Sequence, residues 1–252
     1  MQPRALLFTT CLLTGLLAGQ AVGQNGDLLV KAARLMVAPD NVLTNSAILI
    51  RNGKVQFVGK EIPQDAAKRA KVIEFSGMLV PGLINAHSNL GHGSNLAETI
   101  DAFTPELLAA DAFDPFVEDL LAAARAGVTT VGLSPQSLNT FAGQAVMVQT
   151  GKVGKVVAES AYLKMSFTKR AYNQNRYPTS RMGAADLIRT SFKQATGPLG
   201  ATNAKLRVLR VVVNGSRKVA FHASTEAQIG YALDLAQELS LQPILIGAEE
   251  AH

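Results

Sequence analysis

The Pro81-Gly82 step divides this chain into two textures, and that change constrains the fold more than any other feature of the sequence. Before it, short β-branched runs alternate with turn residues: Leu28-Leu29-Val30, Ala47-Ile48-Leu49-Ile50 and Lys54-Val55-Gln56-Phe57-Val58. Between the last two lies Arg51-Asn52-Gly53-Lys54, whose Asn-Gly pair tolerates the two positive φ angles of a tight hairpin. Residues 24–80 are therefore expected to form a small antiparallel β-sandwich fragment. After the step, apolar-periodic stretches alternate with β-branched runs. Helices are predicted over 116–126 (stopped by Gly127), 184–195 and 226–239, with strands over 128–131 and 243–246. That alternation predicts parallel βα units. The run 206–213 reads both ways, since its β-branched residues favour a strand and its place in a βα series allows a helix. No internal repeat or low-complexity tract breaks the pattern.

At the N-terminus, Arg4 is followed by an apolar stretch over 5–18 and by the small residues Ala21-Val22-Gly23. This reads as a secretory signal peptide over 1–23, so the mature chain is expected to be exported to a periplasm or beyond the cell. The apolar stretch is short and interrupted, so no stable membrane span is expected after cleavage. The only cysteine, Cys11, falls inside the signal and leaves no disulfide to staple the mature fold. Of 24 basic residues Arg4 leaves with the signal, and the remaining 23 against 19 acidic give a formal +4. These charges are scattered, Lys68, Arg69 and Lys71 being the tightest group, and no aromatic interleaving accompanies them. Nucleic-acid binding is not expected. Hydrophobic residues make up 48% of the chain, with no Trp and regular Gly, which describes a folded α/β protein.

The chemistry-bearing residues follow the Pro81-Gly82 step. Strand Met78-Leu79-Val80 runs on into Leu83-Ile84-Asn85-Ala86-His87-Ser88-Asn89. Side chains alternate along a strand, so His87 and Asn89 point the same way. At the C-terminal end of a barrel strand, such a pair could grip one metal ion. Taken alone, His-x-Asn more often describes a histidine hydrogen-bonded to its own loop.

In order along the chain come Arg51-Asn52-Gly53-Lys54-Val55, Gly77-Met78-Leu79-Val80-Pro81-Gly82 leading to His87, and Ala126-Gly127-Val128-Thr129-Thr130-Val131. Ala142-Gly143-Gln144-Ala145, Leu163-Lys164-Met165-Ser166, Pro178-Thr179-Ser180-Arg181-Met182-Gly183 and Val219-Ala220-Phe221-His222-Ala223 complete the series. The set resembles the amidohydrolase superfamily of metal-dependent hydrolases, in its imidazolonepropionase-like branch. The resemblance implies an α/β fold: an incomplete TIM-type (β/α) barrel over 81–252, preceded by the sandwich part over 24–80.

It also implies hydrolysis of C–N bonds in cyclic or peptide-like amides with a divalent metal such as zinc. Carried onto this sequence, His87 and His222 become candidate metal ligands. Asn89 stands where the second strand-one histidine belongs, and its neutral carboxamide is a poor zinc donor. Lys164 falls where relatives can carry a carboxylated lysine, and an unmodified lysine with its stem buried is the plainer reading. The sixth strand lacks its histidine, since Ile246-Gly247-Ala248-Glu249-Glu250-Ala251 fills that corner and His252 comes too late. His92, in the loop after strand one, is a stand-in candidate. The last two barrel strands, with the aspartate of the eighth, find no match, so the sequence reads as C-terminally truncated.

The expectation is a degenerate amidohydrolase-like protein, weakly active or inactive as this chain, holding metal weakly or not at all. The alternative is an active exported enzyme on a small-molecule substrate, completed by further sequence or by a partner chain. Open barrel edges would favour self-association or pairing with a second amidohydrolase-like chain.

Overall fold

At the Asn52-Gly53 turn both residues take positive φ, 52° and 70°, and the chain folds back on itself as the dipeptide requires. The turn joins β2 (Asn41–Arg51) to β3 (Lys54–Gly59), and β2 also pairs antiparallel with β1 (Leu28–Ala38). The computed structural model describes residues 26–62, 68 and 70–252; the expected signal peptide with Cys11, and Arg69, lie outside the described residues. The chain divides into two compact units, one ending at Pro81 and one spanning Gly82–His252.

The first unit corrects the antiparallel sandwich expectation. Its strand β4 (Lys71–Leu79) pairs parallel with β1, so the order is β3-β2-β1-β4 and the sheet is mixed. A parallel partner cannot be joined by a tight hairpin, so no local turn signal could have announced this pairing. Among the described residues this unit holds one sheet, with Leu29, Ala47 and Leu49 buried on one face against Phe57, Ile62 and Ala70.

The second unit is built on six strands: β5 (Leu83–Ser88), β6 (Val128–Leu133), β7 (Phe141–Gln149), β8 (Lys155–Ser166), β9 (Lys218–Ala223) and β10 (Pro243–Gly247). They lie in the order β10-β9-β8-β7-β6-β5. Pairs β5/β6, β8/β9 and β9/β10 are parallel, whereas β7 runs antiparallel to both neighbours. Here the expectation of uninterrupted parallel βα units is corrected. The links 134–140 and 150–154 are too short for a helical crossover, so each can only reverse the chain.

Five helices accompany the sheet: α1 (Glu118–Arg125), α2 (Arg181–Thr196), α3 (Leu199–Thr202), α4 (Ala204–Val213) and α5 (Glu226–Glu238). The ambiguous 206–213 run is helical. Asn203 caps it, its side chain accepting from the backbone N–H groups of Lys205 and Leu206 at 2.9 and 3.2 Å. Leu206, Leu209 and Val212 then fall on one buried face.

Strand alternation sorts the two faces of the sheet. On one face Leu163, Met165, Val219 and Phe221 pack against Ile188 and Phe192 of α2, Leu209 of α4 and Leu235 of α5. Full burial of side chains such as Met165 and Phe221 contributes about 2 kcal/mol each. On the other face stand Tyr162, Lys164, Ser166, Ala220 and His222, paired across β8 and β9. This face is concave. The Tyr162 hydroxyl donates to the Ala86 carbonyl at 3.1 Å, from β8 to β5, three strands apart. On a flat sheet those strands would lie about 14 Å apart, so the sheet is barrel-like, with β5 and β10 unpaired to each other. Curling presses β5 on β6: a Cβ at Gly132 would meet the Ala86 carbonyl oxygen at 2.2 Å. Among the described residues, no helix is long and apolar enough to cross a membrane.

Candidate functional site

β5, β6, β8 and β9 deliver their carboxyl ends to one side of the sheet, because β7 restores β8 to the direction of β6. Three side chains selected from the sequence meet there. His87 stands near the end of β5, Lys164 near the end of β8 and His222 near the end of β9. The two imidazole centroids are 6.4 Å apart. The Lys164 amine lies near them, donating to Nε2 of His87 at 2.9 Å and to the carbonyl of Pro135 at 2.6 Å. His222 is held through Nδ1 by the Ser137 hydroxyl. Gly247, at φ 82°, lets the chain pass His222, since a Cβ there would come within 3.0 Å of the ring.

The cleft around these groups has a volume of about 300 Å³. One wall is the β6–β7 link, with Ser134, Pro135 and Ser137; Arg170 stands at another side. Asn89 lines the rim, exposed and one residue past the end of β5. His92 lies outside, exposed, with Nδ1 bonded to the Ser94 carbonyl at 3.1 Å. His252 is exposed and takes no part in the cleft. Sequence reasoning missed Ser134, Ser137, Arg170 and the Pro135 carbonyl. The one available signal was a Ser-Pro-x-Ser turn directly after a strand, where barrel loops gather function.

Burial dominates the electrostatics. Lys164 is only 2% exposed, and desolvation lowers its pKa to about 8. His87 falls to about 4, first through burial and then through the charges of Lys164 and His222. His222 is also lowered, by burial and by Lys164 and Arg170, with Glu249 opposing. At neutral pH the stable pairing is therefore an ammonium donating to a neutral His87, which carries its own proton on Nδ1.

That arrangement does not fit a resident divalent cation. The Nε2 lone pair of His87 is occupied by an N–H of Lys164, and an ammonium stands where a positive ion would have to enter. Two imidazoles and a rim carboxamide fall short of the three good ligands of catalytic zinc. Among the described residues no group of three or more His, Cys, Asp or Glu side chains converges.

No protein-family model matches the chain. An imidazolonepropionase from Aromatoleum aromaticum (strain DSM 19018 / LMG 30748 / EbN1) is 30% identical over 81 residues, which is 30% of this chain and 20% of that protein. An amidohydrolase from Thermotoga maritima MSB8 superposes with a TM-score of 0.77 at 25% identity, over 88% of this chain and 65% of its own. The chain thus spans less than two thirds of the length of either protein. Local sequence identity and a superposition over most of this chain point the same way: the chain is a relative of the amidohydrolase superfamily, with imidazolonepropionase-like kinship.

Proposed function

We propose that this protein is a degenerate amidohydrolase-type protein, which keeps a cleft for a small amide-like molecule but hydrolyses C–N bonds weakly or not at all as this chain. One observation carries the reading: the Lys164 amine sits 2.9 Å from Nε2 of His87. It takes up the lone pair that a metal ion would need and puts a like charge beside it. Hydrolysis of an amide also needs a base for the attacking water. No carboxylate lines the cleft among the described residues, and His87 is engaged by Lys164.

The test is hydrolysis of a panel of cyclic amides and dipeptides by the purified chain, after chelation and after loading with zinc or manganese. Background rates in every arm are expected. Robust metal-dependent turnover, lost in His87→Ala, would sink the reading. The mature chain is proposed to be exported and to begin near Gln24. N-terminal sequencing from the native host checks this, and an intact Met1 start would refute it.

The lowered pKa of Lys164 favours a second reading. At about 8 it leaves on the order of a tenth of the amines uncharged at neutral pH. An uncharged amine can add carbon dioxide, forming an N–C bond and releasing a proton, which turns a cation into a carboxylate able to ligate metal. The chain would then be an active exported metal-dependent amidohydrolase. Native mass spectrometry in bicarbonate with zinc separates the two: a gain of one carbon dioxide together with one metal ion supports this second reading.

A further inference from the structure

We infer that the cleft between His87 and His222 is an anion site, which takes the carboxylate of a small organic acid on the Lys164 ammonium. The inference rests on the reading that Lys164 remains a free amine, and it adds the class of ligand. A buried charge is ordinarily paired, because an isolated ion loses its hydration without return. Lys164 is 2% exposed and makes no salt bridge, and its two hydrogen-bond partners, His87 and the Pro135 carbonyl, are both neutral. An ammonium has three donors. Two are used, and the third has no protein acceptor among the described residues.

The surroundings supply the rest of an oxyanion shell. The Ser134 hydroxyl is 3% exposed, lines the cleft and makes no well-formed hydrogen bond. It lies close to the Tyr162 phenol oxygen, which donates its own proton to Ala86 and is left as an acceptor for Ser134. Arg170 also lines the cleft; it is exposed and forms no hydrogen bond or ion pair among the described residues. Two cations and no carboxylate therefore face the space. The nearest acidic group that acts on the cleft is Glu249, fully exposed and hydrogen-bonded to Ser224. A carboxylate has two oxygens, enough to meet Lys164 with one while the planar guanidinium of Arg170 closes over the other.

The volume of about 300 Å³ suits a molecule of a few heavy atoms beyond the carboxylate. N-acetylglycine, which carries an amide and a carboxylate, is the probe. Its neutral counterpart N-acetylglycinamide and inorganic phosphate are the comparisons. Calorimetric titration of the chelator-treated protein at neutral pH is expected to show one site per chain for N-acetylglycine, at least tenfold tighter than for N-acetylglycinamide. Lys164→Met should lose at least tenfold. The exposed Arg170→Gln, which threatens the fold least, should lose two- to fivefold with the neutral amide unaffected.

Equal binding of acid and neutral amide, or full binding by Arg170→Gln and Lys164→Met, would overturn the inference; so would binding of phosphate alone. Elemental analysis of the protein as purified, before chelation, keeps the two failures apart. No zinc and no anion binding defeats only the anion site, whereas tightly held zinc defeats the reading beneath it as well.

Discussion

Lys164 on β8 and His87 on β5 are separated by two intervening strands, yet the amine of one lies 2.9 Å from Nε2 of the other. The contact spans the concave face of the sheet and depends on its curvature. It also joins the least exposed charge of the cleft to the histidine with the most depressed pKa, so each constrains the titration of the other.

His87 should make the fold acid-sensitive. Its pKa is near 6.5 when unfolded and about 4 when folded, so the unfolded state binds more protons between those values. The associated stability is complete above 6.5 and is lost as pH falls through 4. Because the ring is half exposed, screening reduces the full value, leaving about 1 kcal/mol. Melting temperatures of wild type and His87→Gln between pH 7 and 4 should converge as the pH drops.

Lys164 should act in the opposite range. Its folded pKa of about 8 lies below the unfolded value of 10.5, so below pH 8 the fold bears the full cost of burying an ammonium. Stability should rise as pH climbs from 8 to 10.5, by about 3 kcal/mol if the whole shift is expressed. Lys164→Met should flatten that rise and be more stable than wild type at pH 7. Urea titrations at pH 7, 9 and 10.5 check both statements.

Gly132→Ala should damage the site from a distance. The new Cβ would fall 2.2 Å from the Ala86 carbonyl oxygen, and that neighbour is backbone that cannot rotate away. Separating β6 from β5 to admit it should cost about 2 kcal/mol or more. The displacement acts one residue before His87. Chemical denaturation measures the cost, and a shifted His87 ring resonance in the NMR spectrum would show that the displacement reaches the cleft.

Asn89→His alone should raise zinc affinity little, because Lys164 still occupies His87. Combined with Lys164→Met, the same change should raise it at least tenfold more, the excess over additivity measuring the block imposed by the amine. Neither variant should turn over amides, since the cleft gains no carboxylate base. Zinc competition with a chromogenic chelator gives the affinities.

Local signals carried much of this architecture. Asn52-Gly53 placed its hairpin, Gly127 ended α1, and the helices over 181–196 and 226–238 followed apolar spacing. The 206–213 run could have been resolved by Asn203, whose capping side chain precedes Leu206, Leu209 and Val212 at helical intervals. Strand direction was harder. The orientations of β4 and β7 are set by link length and by distant partners, which no window of neighbouring residues reports. The approach of Lys164 to His87 was illegible for a related reason: it depends on how far the sheet curls. Arg170 carried no motif and Ser134 only that of the Ser-Pro-x-Ser turn after β6, and both became visible as neighbours of a buried amine.

The reversal of β7 has a consequence for how such a cleft can diversify. In a strictly alternating chain the wall beside β6 would begin a helix, and each change there would have to respect that helix's seating. Here the wall is residues 134–140, a short bend between two sheet strands, supplying Ser134, the Pro135 carbonyl and Ser137. Insertions or exchanges in that bend would reshape what the cleft admits while the strands on either side keep their register. Kinship in the framework is thus compatible with wide divergence in diet.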